Sequence, residues 1–99
     1  MIEYKVIKEI ERNGQHTQRT LAAELEVSLG RVNHVVSGFT KIGIIQAKKV
    51  RDHHDKIRWR YYLTPKGVKE KLRLAKIYME RLSREYDMVR EDLELGNSK

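Results

Sequence analysis

Two short amphipathic patterns lie almost back to back between Thr17 and Phe39, in the stretch TQRTLAAELEVSLGRVNHVVSGF. Thr17 and Ser28 are favourable N-cap residues, and Ser28 follows Leu25, the last apolar residue of the first pattern, by only three positions. Helices this short are not stable alone in water. The two segments are therefore predicted to pack against each other and against the rest of the chain.

The inner sides of the two helices follow from a rotation of about 100° per residue. The first helix and the turn contribute Leu21, Leu25 and Val27, with Ala22 as the small residue at the contact; the second helix contributes Val32, Val35, Val36 and Phe39. Glu26 occupies the turn position where glycine is common because the backbone becomes left-handed. A residue with a side chain is possible there at some energetic cost.

The outer side of the second helix is polar. It carries Gly30, His34, Ser37 and Lys41, flanked by Arg31 and Asn33. This side has no large apolar residue, and its glycine permits close approach. Its donors and acceptors suit the reading of base edges in a DNA major groove.

The remaining patterns complete a recognisable order of elements. A helix is predicted over residues 3–12, strands over 44–50 and 57–63 with the polar turn RDHHDK between them, and a long helix from Pro65, with Thr64 as its N-cap and no breaker before Gly96. In the second strand, Trp59, Tyr61 and Leu63 alternate with Arg58, Arg60 and Tyr62. We expect the face with Trp59 and Tyr61 to contact the helices and to belong to the core.

This order predicts a mostly helical α+β fold, the winged helix-turn-helix arrangement. Residues 1–66 are predicted to form the DNA-binding head with a two-stranded wing. Residues 67–95 are predicted to form a long dimerisation helix, and residues 96–99 a disordered tail.

Positive charge is concentrated in the middle of the chain. The formal net charge is +7, and residues 15–66 carry ten Lys/Arg against four Asp/Glu. Residues 1–14 are neutral, with three of each sign, and residues 67–99 carry eight against seven. This distribution predicts a polyanion as the partner of the helical pair and the wing.

Other classes of protein are disfavoured by what the sequence lacks. It has no cysteine, so disulfides and thiolate metal sites are excluded and a reducing cytoplasm is expected. The start MIEYKVIKEIERNG is too charged for a signal peptide, and no apolar run approaches the ~20 residues that span a bilayer. No phosphate loop, pair of acids or activated nucleophile is visible, so we expect no enzyme, cofactor, metal or membrane partner.

The chain resembles the MarR family of bacterial and archaeal transcription regulators from Thr17 to Gly67. The similarity lies in QRTLAAELEVSLGRVNHVVSGFTKIGII and in YYLTPKG, with its LT-x-K-G element, and the short length is most similar to members associated with exopolysaccharide gene clusters. The resemblance implies a homodimer on a palindromic operator, with one helix of each protomer in the major groove and one wing by the minor groove.

The chain departs from the family pattern in two respects. We expect it to lack the two-helix C-terminal extension of larger members, which puts their effector pocket in doubt here; a small-molecule effector is possible but not legible from the sequence. The family's wing pattern of Asp followed by Arg is only partly matched, by Asp55 and Arg58.

The predicted DNA contacts form three groups. The second helix of the pair supplies Ser28, Gly30, Arg31, Asn33, His34, Ser37 and Lys41; the start of the first supplies Thr17 and Gln18 for phosphate; the wing supplies Arg51, His53, His54, Lys56 and Arg58. Asn33 can read adenine, and Arg31 can read guanine or bind phosphate. The alternative for each group is an ordinary solvated surface.

Two other readings of the wing are weaker. The sequence DHHD, residues 52–55, suggests a metal site, but consecutive residues on a turn chelate poorly and no thiol or helical histidine pair completes the set. Trp59, Tyr61 and Tyr62 could form a stacking platform for single-stranded nucleic acid.

The C-terminal helix carries an unbroken heptad seam. Its members are Val68, Leu72, Ala75, Met79, Leu82, Tyr86, Val89 and Leu93. A helix of ~45 Å is too long for the head to cover, so a second copy is expected to bury the far part. Leu74, Ile77 and Tyr78 form a second apolar side that suits either the first helix or a partner's head. Parallel and antiparallel pairing both remain open.

These patterns together predict a dimeric, sequence-specific regulator that binds double-stranded DNA, most simply a repressor that occupies promoter DNA. The alternative is a winged-helix adaptor that binds proteins and dimerises through a coiled coil.

Overall fold

A computed structural model describes residues 1–97 and contains four helices and a two-stranded antiparallel sheet in that part of the chain. The elements are α1 (Ile2–Arg12), α2 (Gln18–Leu25), α3 (Leu29–Lys41), β1 (Ile45–Arg51), β2 (Ile57–Leu63) and α4 (Pro65–Asn97). The predicted winged helix fold, mostly helical and with a long C-terminal helix, is confirmed.

The core lies between α1, α2, α3 and the base of the wing. Its buried side chains are Val6, Ile7, Ile10, Leu21, Ala22, Val32, Val36, Phe39, Ile44, Ile45 and Leu74. Val35, also assigned to the inner side of α3, is half-buried against this cluster. Within residues 1–97 no polar or charged residue is buried. Apolar packing therefore holds the head together.

Caps and one left-handed residue set the positions of α2 and α3. Thr17 and Thr20 form a capping box: the Thr20 N–H donates to Thr17 Oγ1 over 3.1 Å, and the Thr17 N–H donates to Thr20 Oγ1 over 2.8 Å. Ser28 Oγ accepts a hydrogen bond from the Arg31 N–H over 3.2 Å. Glu26 has φ 55° and ψ 44°, the predicted left-handed turn. Packing of α2 on α3 must outweigh the cost of that conformation, roughly 1–2 kcal/mol.

The wing is joined to the head at its base. β1 and β2 pair from Ile45 opposite Leu63 to Arg51 opposite Ile57. The Tyr61 N–H donates to the carbonyl oxygen of Gly14, in the loop between α1 and α2, over 2.8 Å. This hydrogen bond ties β2, near the base of the wing, to the loop between α1 and α2.

The prediction that Trp59 belongs to the core is wrong, because its side chain is 58% exposed. Tyr61 and Leu63, on the same face of β2, are half-buried against the core as expected. The register explains the difference: Leu63 lies opposite Ile45 at the base, whereas Trp59 lies further out, where no helix covers the strand. Alternation identifies the face of a residue but not its distance from the core.

Thr64 connects α4 to the head. Its hydroxyl donates towards the carbonyl oxygens of Gly43 and Ile44, at 2.5 and 3.0 Å, and its oxygen accepts from the Gly67 N–H over 3.0 Å. The predicted N-cap at Thr64 and helix start at Pro65 are confirmed. Gly67 is buried at this junction, and a Cβ there would collide with the Ile44 carbonyl oxygen and the Leu63 side chain.

The first half of α4 packs along α1. Leu74 is buried, and the Tyr78 ring lies 5.7 Å from the Tyr4 ring, centroid to centroid. Lys71 Nζ contacts Glu11 Oε2 at 2.7 Å. The sequence predicts that the second apolar side of this helix packs against either the first helix or a partner's head. In the structure it packs against the first helix, α1.

From residue 79 to residue 97, every residue of α4 is exposed. The helix includes Gly96 and Asn97, so the prediction of a disordered tail from residue 96 is wrong at these two positions; residues 98 and 99 lie outside the described part. Gly96 does not adopt the left-handed conformation that ends many helices. A glycine within a helix costs only about 1 kcal/mol relative to alanine.

The close packing at Gly67 makes a direct prediction. Gly67→Ala is expected to lower the free energy of unfolding by about 1–3 kcal/mol, because the added methyl group overpacks the junction. Gly96→Ala, on the same helix with no atom within 4 Å of the added Cβ, should instead be neutral or raise it by up to about 1 kcal/mol. Urea unfolding at one fixed protein concentration measures both, and equal values for the two variants would contradict the prediction.

Candidate nucleic-acid interface

The outer side of α3 is open to solvent. All the residues assigned to it are exposed: Ser28, Gly30, Arg31, Asn33, His34, Ser37 and Lys41. A Cβ added at Gly30 would meet no atom within 4 Å. This side of α3 is therefore free to approach a partner closely.

Asn33 is tied to the start of α2. Its Nδ2 donates to Gln18 Oε1 over 3.0 Å, so the structure brings together residues that the sequence assigned to two separate groups. The bond uses one N–H of the amide and leaves its oxygen and second N–H for a ligand. Thr17, next to Gln18, is exposed at the same helix start.

Arg31 lies in a groove that is separate from the wing. It lines a groove with Met1, Arg73 and Arg81, between the starts of α1 and α3 and the middle of α4. Partial burial is the main cause that lowers the pKa of the Met1 amino group, followed by the nearby charges of Lys5 and Arg81. Arg31 is thus separated from the wing side of α3, which sequence periodicity did not indicate.

Asp52 organises the tip of the wing. Its carboxylate accepts the Arg58 Nε–H over 2.6 Å and the backbone N–H groups of His54 and Lys56 over 2.9 and 3.0 Å. The hydrogen bond from Arg58 is the largest cause that lowers the pKa of Asp52. Arg58 therefore pairs with Asp52 rather than with Asp55, the acid suggested by the family pattern.

The wing residues predicted to contact DNA are exposed around this tip: Arg51, His53, His54, Lys56 and Arg58. Arg51 contacts Asp55 at 3.0 Å, a pair in which both side chains are mostly exposed. Such pairs contribute little to stability and dissociate easily. Arg51 can therefore exchange Asp55 for a phosphate.

Sequence reasoning missed further basic residues that stack on the wing's aromatic rings. Lys49 Nζ lies 5.4 Å from the centre of the Trp59 ring, and Lys48 Nζ lies 5.4 Å from the centre of the Tyr62 ring. The register places Lys49 directly opposite Trp59. The hairpin pattern could have revealed this pair, because the turn length determines which residues face each other.

The wing and α3 share one concave surface, which we call the wing groove. Its lining includes Gln18, Ser37, Lys41, Ala47 and Tyr61. The groove therefore joins predicted residues of α2 and α3 to two wing residues, Ala47 and Tyr61, that were not among the predicted contacts with duplex DNA.

His16 holds the start of α2 in place through two side-chain contacts. Its Nε2 lies 3.0 Å from Glu9 Oε2 and its Nδ1 lies 2.9 Å from Thr20 Oγ1, in the capping box. Hydrogen bonds from Arg12 and then His16 lower the pKa of Glu9, against the opposing effect of burial. This chain of contacts fixes the helix start that carries Thr17.

Two further findings concern chemistry and membranes. Among residues 1–97, no group of three or more His, Cys, Asp or Glu side chains is arranged to hold a metal ion. In the same part of the chain, no helix combines the length and apolar character needed to cross a bilayer.

Comparison with known proteins agrees with this geometry. Residues 2–46 match the sequence model of a family described as winged helix-turn-helix DNA-binding. The head therefore has the winged helix-turn-helix fold. The match covers α1, α2 and α3 and ends within β1. No curated protein is significantly similar to the chain in sequence.

Two solved structures are similar to the chain. Streptococcus pneumoniae FabT in complex with DNA is 25% identical, with a TM-score of 0.54 over 84% of this chain. The present chain spans 56% of the length of that FabT chain. A possible transcriptional regulator from Methanosarcina mazei Go1 is 13% identical, with a TM-score of 0.49, and the match covers 86% of this chain and 74% of that one.

The role of Asp52 can be tested by hydrogen exchange. Asp52→Asn is expected to speed exchange of the His54 and Lys56 backbone amides, because the ion pair to Arg58 is lost. In the native protein the folded-state pKa of Asp52 lies below its ordinary value of 3.8. Its contribution should therefore be complete above pH 3.8 and disappear as pH falls through the lowered pKa.

Asp55→Asn is the matched control, since it removes the same charge from an exposed side chain that lies between the two turn amides, both of which donate to Asp52 instead. Asparagine also tolerates the left-handed backbone of Asp55, whose φ is 63°. If both substitutions accelerate exchange equally, Asp52 does not organise the tip.

Proposed function

We propose that the protein is a homodimeric transcription regulator of the MarR type. In this proposal it binds duplex DNA sequence-specifically at an inverted repeat in the cytoplasm, and it represses transcription by occupying promoter DNA. Binding is non-covalent, with no catalysed reaction.

The observation that carries the proposal is the exposed polar side of α3 beside a basic wing. Gly30, His34, Ser37 and Lys41 are all exposed, and the last two line the wing groove. Residues 45–63 carry six Lys/Arg against two Asp. A helix with free donors and acceptors, next to a positive hairpin, fits a major groove bordered by phosphates. FabT, whose structure is similar over most of this chain, was solved with DNA.

Phosphate contacts are expected at both edges of the wing groove. At one edge, the first turn of α2 presents free N–H groups beside Thr17, supported by the His16 contacts described above. At the other edge are the exposed cations of the wing tip. These contacts would fix the register of α3 on the duplex but carry no sequence information themselves.

Base recognition is assigned to the middle of α3. His34 and Ser37 are exposed with room around them, and Asn33 is held in one orientation by Gln18. An amide oriented before binding loses less entropy when it pairs with a base edge. Adenine, which offers an acceptor and a donor side by side, is the base that an Asn amide fits.

The proposed dimer rests on the apolar stripe along α4. Its members are Val68, Leu72, Met79, Leu82, Tyr86, Val89 and Leu93, all exposed, and Ala75, half-buried. Each large member contributes roughly 1.5–3 kcal/mol when fully buried. Burying the stripe is therefore comparable to the whole stability of a small domain, about 5–15 kcal/mol. A second copy, with the same stripe, is the partner that fits it.

The DNA-binding role is tested at Gly30. The native protein should bind its selected duplex with an affinity that falls about a thousandfold or more as salt rises from roughly 50 to 200 mM. Gly30→Ala should leave the fold as stable or raise its stability by up to about 1 kcal/mol. The same variant should weaken duplex binding at least about tenfold, because its methyl group separates α3 from the base edges. Fluorescence anisotropy of a labelled duplex measures the affinity.

Gly96→Ala is the control, since it adds the same methyl group to an exposed helical glycine remote from the head. The proposal fails if the native protein prefers no duplex sequence over random DNA. The remaining explanation of the fold would then be the adaptor function, with a protein partner.

The dimer is tested by a pair of substitutions on opposite sides of α4. Leu82→Glu places a charge within the stripe and is expected to yield a monomer by light scattering. Met88→Glu changes another exposed apolar residue, on the other side of the helix, and should leave the dimer intact. Leu82 is 46% exposed and Met88 66%, so neither substitution disturbs the core.

Selection of bound duplexes from a random library should give an inverted repeat with the native protein and with Met88→Glu. Half-site centres are expected about 34 Å apart, one helical turn of DNA. Leu82→Glu should lose about 100-fold or more in affinity for that site, as both heads no longer bind together. A native monomer, or a dimeric Leu82→Glu variant, would exclude this dimer.

A further inference from the structure

Trp59 is a large apolar side chain that lies outside the core. Its ring is 58% exposed, and it is the only tryptophan in the chain. It lines a cleft with Tyr61, His16 and Gln18, between β2 and the start of α2. It also lines a shallow groove with Thr40, at the end of α3. The ring is therefore on the side of the wing that faces α2 and α3.

This position makes Trp59 an extension of the wing groove. Ala47 and Tyr61 line the wing groove together with Ser37 and Lys41, and both also line the cleft that contains Trp59. A duplex bound against α3 in the wing groove would therefore also reach the Trp59 indole. The exposed ring is apolar, whereas the surface around it is basic.

The surroundings of the ring indicate the chemistry of its partner. Lys49 Nζ lies 5.4 Å from the ring centre, on the opposite strand, and Arg58, which precedes Trp59, lines the same cleft. A flat apolar ring between two cations complements a surface on which apolar groups alternate with anions. Each edge of a DNA groove is such a surface, because deoxyribose rings alternate with phosphates along the backbone.

We propose that Trp59 is a DNA-contact residue that packs on the deoxyribose edge of the groove occupied by the wing, while Lys49 and Arg58 bind the flanking phosphates. The inference rests on the proposed function and adds to it an apolar contact from the wing. It gives the exposed ring a partner that would bury it, at a site outside the core.

The geometry favours a duplex over a single strand as the partner. Successive bases of a single strand stack on aromatic rings that share one face. Tyr62, the other exposed aromatic residue of β2, lies on the opposite face of the hairpin from Trp59, as strand alternation requires. The two rings therefore do not form one stacking platform.

The experiment uses Trp59 as its own probe. Emission of the native protein is recorded during titration with the selected duplex, while anisotropy of the labelled duplex is recorded in parallel. Trp59 emission should change and saturate with the same dissociation constant as the anisotropy. In the same anisotropy assay, Trp59→Ala should bind about tenfold more weakly, and Trp59→Phe should recover part of the loss, since a smaller apolar ring remains.

Tyr62→Ala is the matched control, because it removes an aromatic ring from the same strand on the other face. Tyr62 is 37% exposed, so this variant should fold, and it should bind the duplex like the native protein. Thermal unfolding of each variant checks that the fold is unchanged.

The outcomes separate this inference from the proposed function. Duplex binding by anisotropy with unchanged Trp59 emission, or with native affinity in Trp59→Ala, overturns the contact and leaves DNA binding intact. An equal emission change and equal affinity for the single-stranded form of the same oligonucleotide overturns the assignment to a duplex edge. Absence of duplex binding by the native protein is a failure of the proposed function itself.

Discussion

The hydroxyl group of Thr64 joins three parts of the molecule. Its oxygen accepts the Gly67 N–H in the first turn of α4, and its hydrogen is shared by the carbonyl oxygens of Gly43 and Ile44, between the end of α3 and the start of β1. Because Gly67 has no side chain, the first turn of α4 lies directly against the Ile44 carbonyl. One side chain thereby fixes the end of α3, the base of the wing and the direction of α4 relative to each other.

This junction determines how a dimer would present its two heads. The core of each head is apolar throughout its described residues and includes Leu74 of α4, so the first half of α4 is part of the head. If the exposed second half of α4 pairs with that of a second copy, the pairing would therefore set the distance between the two α3 helices, with no flexible linker between them. In such a dimer, contacts near the junction would affect DNA binding although they lie outside the proposed interface.

Much of the fold follows from local signals in the sequence. Thr17, Ser28 and Thr64 are caps because their side chains satisfy free N–H groups, and the left-handed Glu26 follows from the short distance between two helices. Helical periodicity also assigns the polar side of α3 correctly. The DNA contacts and the dimer remain predictions.

The features that the sequence did not predict depend on tertiary distances. Alternation placed Trp59 on the correct face of β2 but could not show how far the helices extend over it. The pairing of Arg58 with Asp52 depends on how the turn folds, and that of Asn33 with Gln18 on how two helices cross. Periodicity gives direction around an axis, whereas these contacts depend on separation between elements.

The attachment of the wing has a mechanical consequence. Asp52 holds the hairpin tip as a stiff unit, while the Gly14–Tyr61 hydrogen bond joins β2 to the α1–α2 loop near the base. Bending is then easiest between these two points, in the strands around Trp59 and Lys49. A hairpin that flexes in its middle and keeps a rigid end can follow DNA grooves of different width. Tolerance of variation in the outer base pairs of an operator would follow from this compliance.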